Sequence, residues 1–421
     1  MAHEAVGTKP RESVEDFRAR ARAWIRANLG PGADFDVDEN NAPGVDEESW
    51  VRTRELQRNL FDAGFAGIAY PVEYGGLGLT HEHQAAFNEE VTGYEMPLLL
   101  NLPSLTICGP TILDLGTEEQ KKQHLPAMLR GDEIIVQFLS EPSGGSDLAG
   151  VSTRAEREGD EFVVNGSKIW SGGAYAADYA LCLVRTNWDV PKHQGLTMLL
   201  MRVHQPGVEI HQIRQLNGNT EFCQEFFTDV RVPVSDVIGD VDGGWAVAMH
   251  QLLHERITTG GASPYVSGGR STRKVGAGTA RLVDLARRTH QAADPRVRDL
   301  IAESHVLVRV QEQLTEAVSA GVAAGRLPDQ AGAMARLFMG EAWSRRAEIA
   351  MEVGGSHVVV PATGTEEDHT FADDFVIRQA FSLGGGSTEI SRNVISERVL
   401  GMPREHAPDR DIPFREVKRG R

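Results

Sequence analysis

The spacing of apolar residues changes twice along this 421-residue chain, and these changes constrain the fold more than any other feature. From Ser13 to about Arg130, apolar residues recur every three or four positions, which is typical of amphipathic helices. From about Gly131 to Gly239, short alternating or continuous apolar runs indicate strands. After Gly243 the helical spacing returns. The sequence therefore predicts an α+β protein in three parts.

The predicted domains are an N-terminal helical domain in residues 1–132, a middle β domain in residues 133–241 and a C-terminal helical bundle in residues 242–421. Asn165-Gly166 lies between two strand-like runs, and this dipeptide favours a hairpin turn. Asp294-Pro295 predicts the start of a long bundle helix, because aspartate caps helices and proline is tolerated in the first turn. A final helix should follow Ser387-Thr388.

Composition excludes several classes of protein. The formal net charge of -17, from 60 acidic and 43 basic residues, argues against a nucleic-acid partner held by phosphate contacts. Three widely spaced cysteines indicate neither a disulfide framework nor a cysteine zinc site, so we expect a reducing, cytoplasmic location. No apolar run long enough for a membrane span and no signal-peptide core are evident.

Two segments rich in small residues carry the chemistry. Leu139-Ser140-Glu141-Pro142-Ser143-Gly144-Gly145-Ser146-Asp147 follows a strand, and its glycines would let the backbone approach a flat ligand closely. About twenty residues later, Trp170 stands beside glycines and serines in NGSKIWSGG. Taken alone, the first segment is more often a simple turn and the second a core tryptophan. Their combination favours a site for a planar cofactor.

SEPSGGSD, then VNGSKIW and Ala-Asp-Tyr at 177–179, resemble the paired signatures of the acyl-CoA dehydrogenase family. YPVEYGGLGLT, GWAVAMHQLLHER and GGGSTEISRNVISERVLGMPRE extend this resemblance over nearly the whole chain. It implies a barrel-like middle domain, a C-terminal four-helix bundle, FAD as cofactor and an acyl-CoA substrate. It also implies a role in fatty acid and lipid metabolism, an electron-transferring flavoprotein as acceptor, and a homo-oligomer, either tetramer or dimer, with a heteromer left open.

The resemblance also assigns residues. Those implied to bind FAD are Gln137, Leu139, Ser140, Gly145, Ser146, Trp170, Ser171, Gly172, Arg288, Gly355, Ser387 and Glu389, with Gly355 reaching the flavin of a neighbouring subunit. Those implied to bind substrate are Ser146, Arg256 and Gly385. The chain departs from the family pattern at Gly172, where a hydroxyl residue near flavin N5 is common, at ARRTHQAADP around Arg288, and at Met351, where a glutamine is frequent.

The catalytic base is the most informative departure. Many family members carry a glutamate where this chain has Gly385, so that position lacks a carboxylate. A branch resembling the isovaleryl, long-chain and some actinobacterial steroid side-chain enzymes instead carries it before an arginine on the first bundle helix, and Glu255-Arg256 stands there. Glu255 follows Leu252 and Ala248 on an apolar helix face, which should raise its pKa by desolvation. We expect Glu255 to remove the α proton while the β hydrogen passes to FAD as hydride.

Single features of the sequence also suggest other classes of protein. His250 and His254 have the spacing of metal ligands on a helix, but Gln251 replaces the glutamate of HExxH and the sequence offers no third ligand, so a zinc hydrolase is disfavoured and no metal is expected. Within the fold, a flavin oxidase or monooxygenase stays open because of Gly172. A subunit of a heteromeric dehydrogenase also stays open, although Glu255 argues against a non-catalytic one.

Overall fold

The computed structural model describes residues 12–31, 47–259, 263–267, 277–360 and 366–418. The predicted domain limits at residues 1 and 421 lie outside this part of the chain, as do the first eleven residues, where a signal peptide would begin. Within it the predicted order of helices, sheet and helices is confirmed.

The N-terminal part is helical. Its α-helices are α1 (Val14–Asn28), α2 (Glu47–Asp62), α3 (His81–Glu90), α4 (Gly109–Leu115) and α5 (Glu118–Arg130). Helix α5 begins at a capping box, in which the Thr117 hydroxyl accepts from the Gln120 backbone N–H and the Gln120 side chain accepts from the Thr117 N–H. Phe17, Phe65 and Phe87 are fully buried together between α1, α2 and α3. This core forms because the apolar residues of each helix share one face.

The segment Leu98–Leu115 is long and apolar enough to cross a membrane by length and composition alone. It is 56% buried within the fold. The Ser104 hydroxyl donates to the Ile135 carbonyl oxygen at 2.8 Å, which ties the segment to the first strand of the middle domain. Its apolar character is therefore accounted for by packing inside the protein.

The middle part is one mixed sheet. Its strands are β1 (Ile135–Phe138), β2 (Arg154–Glu158), β3 (Glu161–Gly172), β4 (Tyr179–Arg185), β5 (Leu196–Arg202), β6 (Val208–Gln212), β7 (Phe222–Pro233) and β8 (Val237–Ile238). The order is β6-β7-β3-β2-β4-β5-β8, with β1 parallel to β4. The Phe138 and Phe227 rings, on β1 and β7, lie 5.9 Å apart, so the sheet curls around a shared core.

The hairpin predicted at Asn165-Gly166 is wrong. Both residues lie inside β3, where its pairing with β7 shifts register between Val164 and Gly166. A Cβ on Gly166 would lie 2.7 Å from the Thr153 Cα, so the glycine permits close contact of two backbones rather than a chain reversal. The hairpin turn falls at Gly159 and Asp160, between β2 and β3. The two apolar runs are one strand continued through a bulge.

The C-terminal part is helical again. Its α-helices are α6 (Gly244–Thr259), α7 (Ala277–Arg288), α8 (Pro295–Ala323), α9 (Gly332–Gly354), α10 (Ser356–Val359), α11 (Glu366–Ile377) and α12 (Thr388–Val394). Leu285, Val297, Ile349 and Phe371 join α7, α8, α9 and α11 in one core. The Asp294 carboxylate caps α8 as predicted, accepting from the Arg296 N–H at 2.7 Å. The predicted fold class is confirmed.

Helix α6 connects all three parts. A Cβ on Gly244, at its start, would lie 2.6 Å from the Thr197 backbone of β5. Near its end, the Thr258 hydroxyl donates to the Thr106 carbonyl oxygen at 3.4 Å. The helix is thus held against the sheet at one end and against the N-terminal domain at the other.

Candidate active site

The two motifs singled out in the sequence meet at the ends of β1 and β3. The Ile169 N–H donates to the Ser140 carbonyl oxygen at 3.0 Å, and the Lys168 ammonium donates to the Leu139 carbonyl oxygen at 2.9 Å. Gly145 folds back over the same turn, since a Cβ there would lie 3.1 Å from the Ser140 hydroxyl oxygen. Both motifs therefore belong to one surface, with Gly145 and Ser146 exposed to solvent.

A buried ion pair holds this surface together. The Lys168 ammonium lies 3.0 Å from the Glu141 carboxylate, and their side chains are only 0% and 4% exposed. The same carboxylate accepts from the Ser152 and Thr153 backbone N–H groups at 2.7 and 2.8 Å. Burial alone would raise the pKa of Glu141, but the Lys168 charge and these donors together lower it. Neither residue is predicted from the sequence to have a role, although each lies inside one of the two motifs.

Trp170 is displaced from the sheet. Pairing between β3 and β7 shifts register between Ile169 and Ser171, which leaves Trp170 as the bulged residue, with φ at +66°. Its indole is 56% exposed and touches Phe222 edge-on, with 6.1 Å between ring centroids. Positive φ is strained for a bulky residue, and bulges commonly redirect a side chain beside a binding site. The core position that is usual for a tryptophan is thus excluded.

A second buried acid lies behind Trp170. The Ser171 hydroxyl donates to Glu225 on β7 at 3.0 Å, and the other Glu225 carboxylate oxygen has no hydrogen-bond partner among the described residues. Glu225 is fully buried, and desolvation raises its pKa to about 7, although Ser171 and Lys168 oppose this shift. The sequence gives no sign of this group, because Glu225 is an isolated acid in a strand.

Glu255 on α6 lies next to the end of β1. The Gln137 side-chain amide donates to its carboxylate at 3.4 Å, a long hydrogen bond. Gln137 is two residues before Leu139, so β1 links Glu255 to the surface formed by the two motifs. Desolvation raises the pKa of Glu255, against opposing effects of the Gln137 hydrogen bond and the Arg256 and Arg336 charges. A carboxylate of this kind is suited to accept a proton.

Gly385 faces the same carboxylate. A Cβ built on Gly385 would lie 3.6 Å from a Glu255 carboxylate oxygen and 3.5 Å from the Arg336 Nε. The Arg336 Nε donates to the Gly384 carbonyl oxygen at 3.1 Å, which fixes the glycine turn before α12. The two positions at which the sequence resemblance seeks a base thus adjoin one another, and only Glu255 carries an acid. Arg336 was missed, since a lone arginine in an apolar helix gives no distinctive signal.

The remaining predicted residues fall into two groups. Ser387 caps α12 directly after the glycine turn, and Glu389 follows it in the first turn, so both lie near Gly385. Arg288 and Gly355 lie elsewhere: Gly354 approaches Leu285 of α7, three residues before Arg288. Arg336 and Gly354 are 18 positions apart in α9, a separation of about 27 Å along the helix. The chain therefore does not bring Arg288 and Gly355 to its own Glu255.

Comparisons with known proteins agree with this architecture. Residues 11–132, 137–230 and 242–400 match the N-terminal, middle and C-terminal domains of acyl-CoA dehydrogenase. The chain therefore belongs to the acyl-CoA dehydrogenase family and is an FAD-dependent oxidoreductase. It is 35% identical to Acyl-CoA dehydrogenase IpdE1 of Mycobacterium tuberculosis over 94% of this chain and 99% of that protein. It is 36% identical to Acyl-CoA dehydrogenase IpdE1 of Mycolicibacterium smegmatis, covering 93% of this chain and 98% of that protein.

Solved structures share the fold. The Tcur3481-Tcur3483 steroid ACAD superposes with a TM-score of 0.74 at 28% identity, over 93% of this chain and 98% of that chain. The described residues fit the cofactor of the family. The exposed indole of Trp170 stands beside the open glycine-rich turn, where a Cβ on Gly144 would meet nothing within 4 Å. Such a surface can accept a flat ring system against an aromatic side chain.

Proposed function

We propose that this enzyme introduces an α,β double bond into an acyl-CoA thioester, with Glu255 as the base and an electron-transferring flavoprotein as the acceptor. The observation that carries the proposal is the pairing of Glu255 with Gly385. A side chain at residue 385 would begin 3.6 Å from the Glu255 carboxylate, so both positions serve one reacting carbon, and only one supplies an acid.

Different side chains of the protein have different roles in this reaction. Glu255 takes the α proton, and its raised pKa matches the basicity that this transfer needs. Bound FAD supplies the acceptor for the β hydrogen. Leu139, Ser140, Gly145, Ser146, Trp170, Ser171 and Gly172 would hold the flavin, with Gln137 between flavin and base. A backbone N–H near Gly385 would polarise the thioester carbonyl, and Arg336 would keep that turn in position. Arg256 and Ser146 are proposed substrate contacts.

For the substrate, we favour an acyl group attached to a bulky, steroid-like ring system. The steroid ACAD that shares 28% identity with this chain supports this choice. Gly384, Gly385 and Gly386 supply a second argument, because all three are exposed and carry no side chain at the position opposite Glu255. Moving the acid to α6 therefore leaves space on the bundle side for a wide acyl group.

The decisive variant is Glu255→Gln, which keeps the size and polarity of the side chain but cannot accept the proton. We expect flavin and substrate still to bind, and the rate of flavin reduction in stopped-flow mixing to fall by about 10²- to 10⁴-fold. Glu312→Gln is the control, since Glu312 is a glutamate of α8 that is 37% exposed and paired with Arg309. Near-normal reduction by the preferred acyl-CoA in Glu255→Gln would remove the assignment of the base.

The same experiment separates the acceptors. After reduction by a panel of ring-bearing and straight-chain acyl-CoAs, the enzyme is mixed with oxygen or with electron-transferring flavoprotein. We expect rapid reoxidation by the flavoprotein and slow reoxidation by oxygen. Rapid reaction with oxygen would instead favour an oxidase or monooxygenase, the alternative that Gly172 raises because glycine offers no side-chain hydroxyl there.

A further inference from the structure

Outside the active site, two histidines and one aspartate converge between two domains. His250 and His254 are four residues apart on α6, so they share one face of the helix. The His250 Nε2 lies 2.7 Å and the His254 Nε2 2.9 Å from the same oxygen of Asp114 on α4. All three atoms lie within 4.8 Å of one another. The third ligand that the sequence did not offer is thus supplied by the fold.

The donor set suits a transition metal. Two imidazole nitrogens and one carboxylate oxygen are ligands that zinc takes in sites with three protein ligands, at bond lengths of about 2.0 to 2.2 Å. Tetrahedral bonds of that length separate the donor atoms by about 3.3 Å. The nitrogen–oxygen separations of 2.7 and 2.9 Å need to widen only slightly to admit an ion.

The cluster is also accessible. The side chains of Asp114, His250 and His254 are 40%, 32% and 13% exposed, so an ion can enter from solvent and keep water as a further ligand. The cluster has different neighbours from the Glu255 carboxylate, which contacts Gln137 and adjoins Gly385. Adjacent residues on a helix point about 100° apart, which keeps the two sets separate although His254 precedes Glu255.

We propose that Asp114, His250 and His254 form a binding site for a divalent transition-metal ion, with Zn²⁺ as the best match. The ion joins α4 of the N-terminal domain to α6, the helix that carries Glu255. Its role is structural: Gln251 follows His250, so the helix has no HExxH glutamate to activate a zinc-bound water. Bound metal therefore stabilises the packing of the helix that positions the proposed base.

The test uses untagged, full-length, FAD-loaded protein that has been treated with a chelator and dialysed. Isothermal titration with Zn²⁺ at pH ~7.5, where free imidazole is mostly neutral, should give one ion per chain. Asp114→Asn, His250→Gln and His254→Gln should each weaken binding by at least about 10-fold. His211→Gln is the matched control, because His211 is an exposed histidine 3.6 Å from Glu209 on another surface, and it should bind Zn²⁺ as the wild type does.

Thermal unfolding provides a second readout. Zn²⁺ should raise the melting temperature of the wild type and of His211→Gln, but not of the three site variants, because a ligand stabilises only the state that binds it. Flavin content and circular dichroism identify any variant that fails to fold, and the other two then replace it. Absence of stoichiometric uptake by the wild type, or equal uptake by all folded site variants, would overturn the proposal.

Discussion

At the scale of single residues, the chemistry depends on charged groups that the sheet has removed from water. Lys168 on β3 forms an ion pair with Glu141. It also stands opposite Glu225 in the pairing of β3 with β7. Removing one member of a buried ion pair leaves the other charge without compensation, which costs more than losing a surface pair. These residues lie directly behind the proposed flavin surface, so their loss should affect both stability and cofactor retention.

Lys168→Met should lower the free energy of unfolding by about 3 to 5 kcal/mol, because the Glu141 carboxylate stays buried without its cation. Flavin should be retained less tightly, since Leu139 also loses a donor. Urea unfolding and the flavin-to-protein absorbance ratio measure the two effects. Lys192→Met is the comparison: its partners Asp147 and Asp409 are 63% and 33% exposed, and a change of about 0 to 1 kcal/mol is expected. Equal effects in the two variants would contradict this interpretation.

Glu225 should make stability depend on pH. Its pKa is about 7 in the folded protein against 4.5 as the ordinary value, so between these limits the folded state keeps a proton that the unfolded state has lost. The contribution of Glu225 to the free energy of unfolding is therefore largest below pH 4.5. It decreases as the pH rises to about 7, and it stays constant at higher pH.

Glu225→Gln keeps an acceptor for Ser171 and removes this dependence. As the pH rises from the lower limit to the upper, the wild type should lose about 3 kcal/mol in its free energy of unfolding relative to the variant. Denaturant unfolding at a series of pH values measures it. Glu209→Gln, on the adjacent strand β6 and 74% exposed, is the control. A difference that stays constant with pH would argue against the raised pKa.

At the scale of elements, the decisive feature is the seating of α6. The helix carries the proposed base, and it touches β5 at its start and the segment Asn101–Cys108 near its end. Glycine at residue 244 allows the closest of these approaches. The position of Glu255 therefore depends on backbone contacts eleven residues away from it, in addition to its own side-chain contacts.

Gly244→Ala should destabilise the protein by about 1 to 3 kcal/mol, because its Cβ would lie 2.6 Å from the Thr197 backbone and α6 must shift to accommodate it. The rate of flavin reduction should fall as well, since Glu255 moves with the helix. Gly332→Ala, at the first residue of α9, is the control because a Cβ there would meet nothing within 4 Å. If Gly244→Ala had the melting temperature and the turnover of the wild type, α6 would tolerate displacement and the prediction would be wrong.

At the scale of the whole molecule, the proposed cofactor residues do not all converge within one chain. Gly355 directly follows the end of α9, and Arg288 lies on the helix that Gly354 contacts there. Gly354 is about 27 Å along α9 from Arg336, which contacts the glycine turn beside Glu255. Gly355 has φ at +54° and is exposed, so its backbone is available at the surface. This separation is what we expect if each flavin site is completed by a neighbouring subunit.

We therefore predict an obligate oligomer in which dissociation and flavin loss coincide. Sedimentation velocity recorded at both protein and flavin wavelengths, over a dilution series, should show flavin only in the oligomeric species. Native mass spectrometry then distinguishes a homotetramer or dimer from an assembly that needs a second, related chain. A stable monomer with full flavin content would refute the prediction.

The order of the elements, the helix capping and the candidate base were determined by local sequence. The spacing of apolar residues predicts the order of helices and strands, because that spacing determines which face of each element is buried. The cap at Asp294 was equally readable, since a cap involves residues within one turn. The two glycine- and serine-rich motifs and the absence of an acid at Gly385 are enough, in the sequence alone, to indicate Glu255 as the base.

Tertiary structure alone decided the rest, because those features depend on groups distant in sequence. Gly166 serves a bulge and not a turn since Thr153 of the adjacent segment requires the space of its missing side chain. Glu225 has a raised pKa only because the folded sheet excludes water around it. Asp114 joins His250 and His254 across 136 and 140 positions of the chain, a meeting that no local pattern encodes. The spacing of residues determines the type and the buried face of a single element. Removing a side chain from water, or bringing together residues distant in sequence, requires several elements to pack against one another.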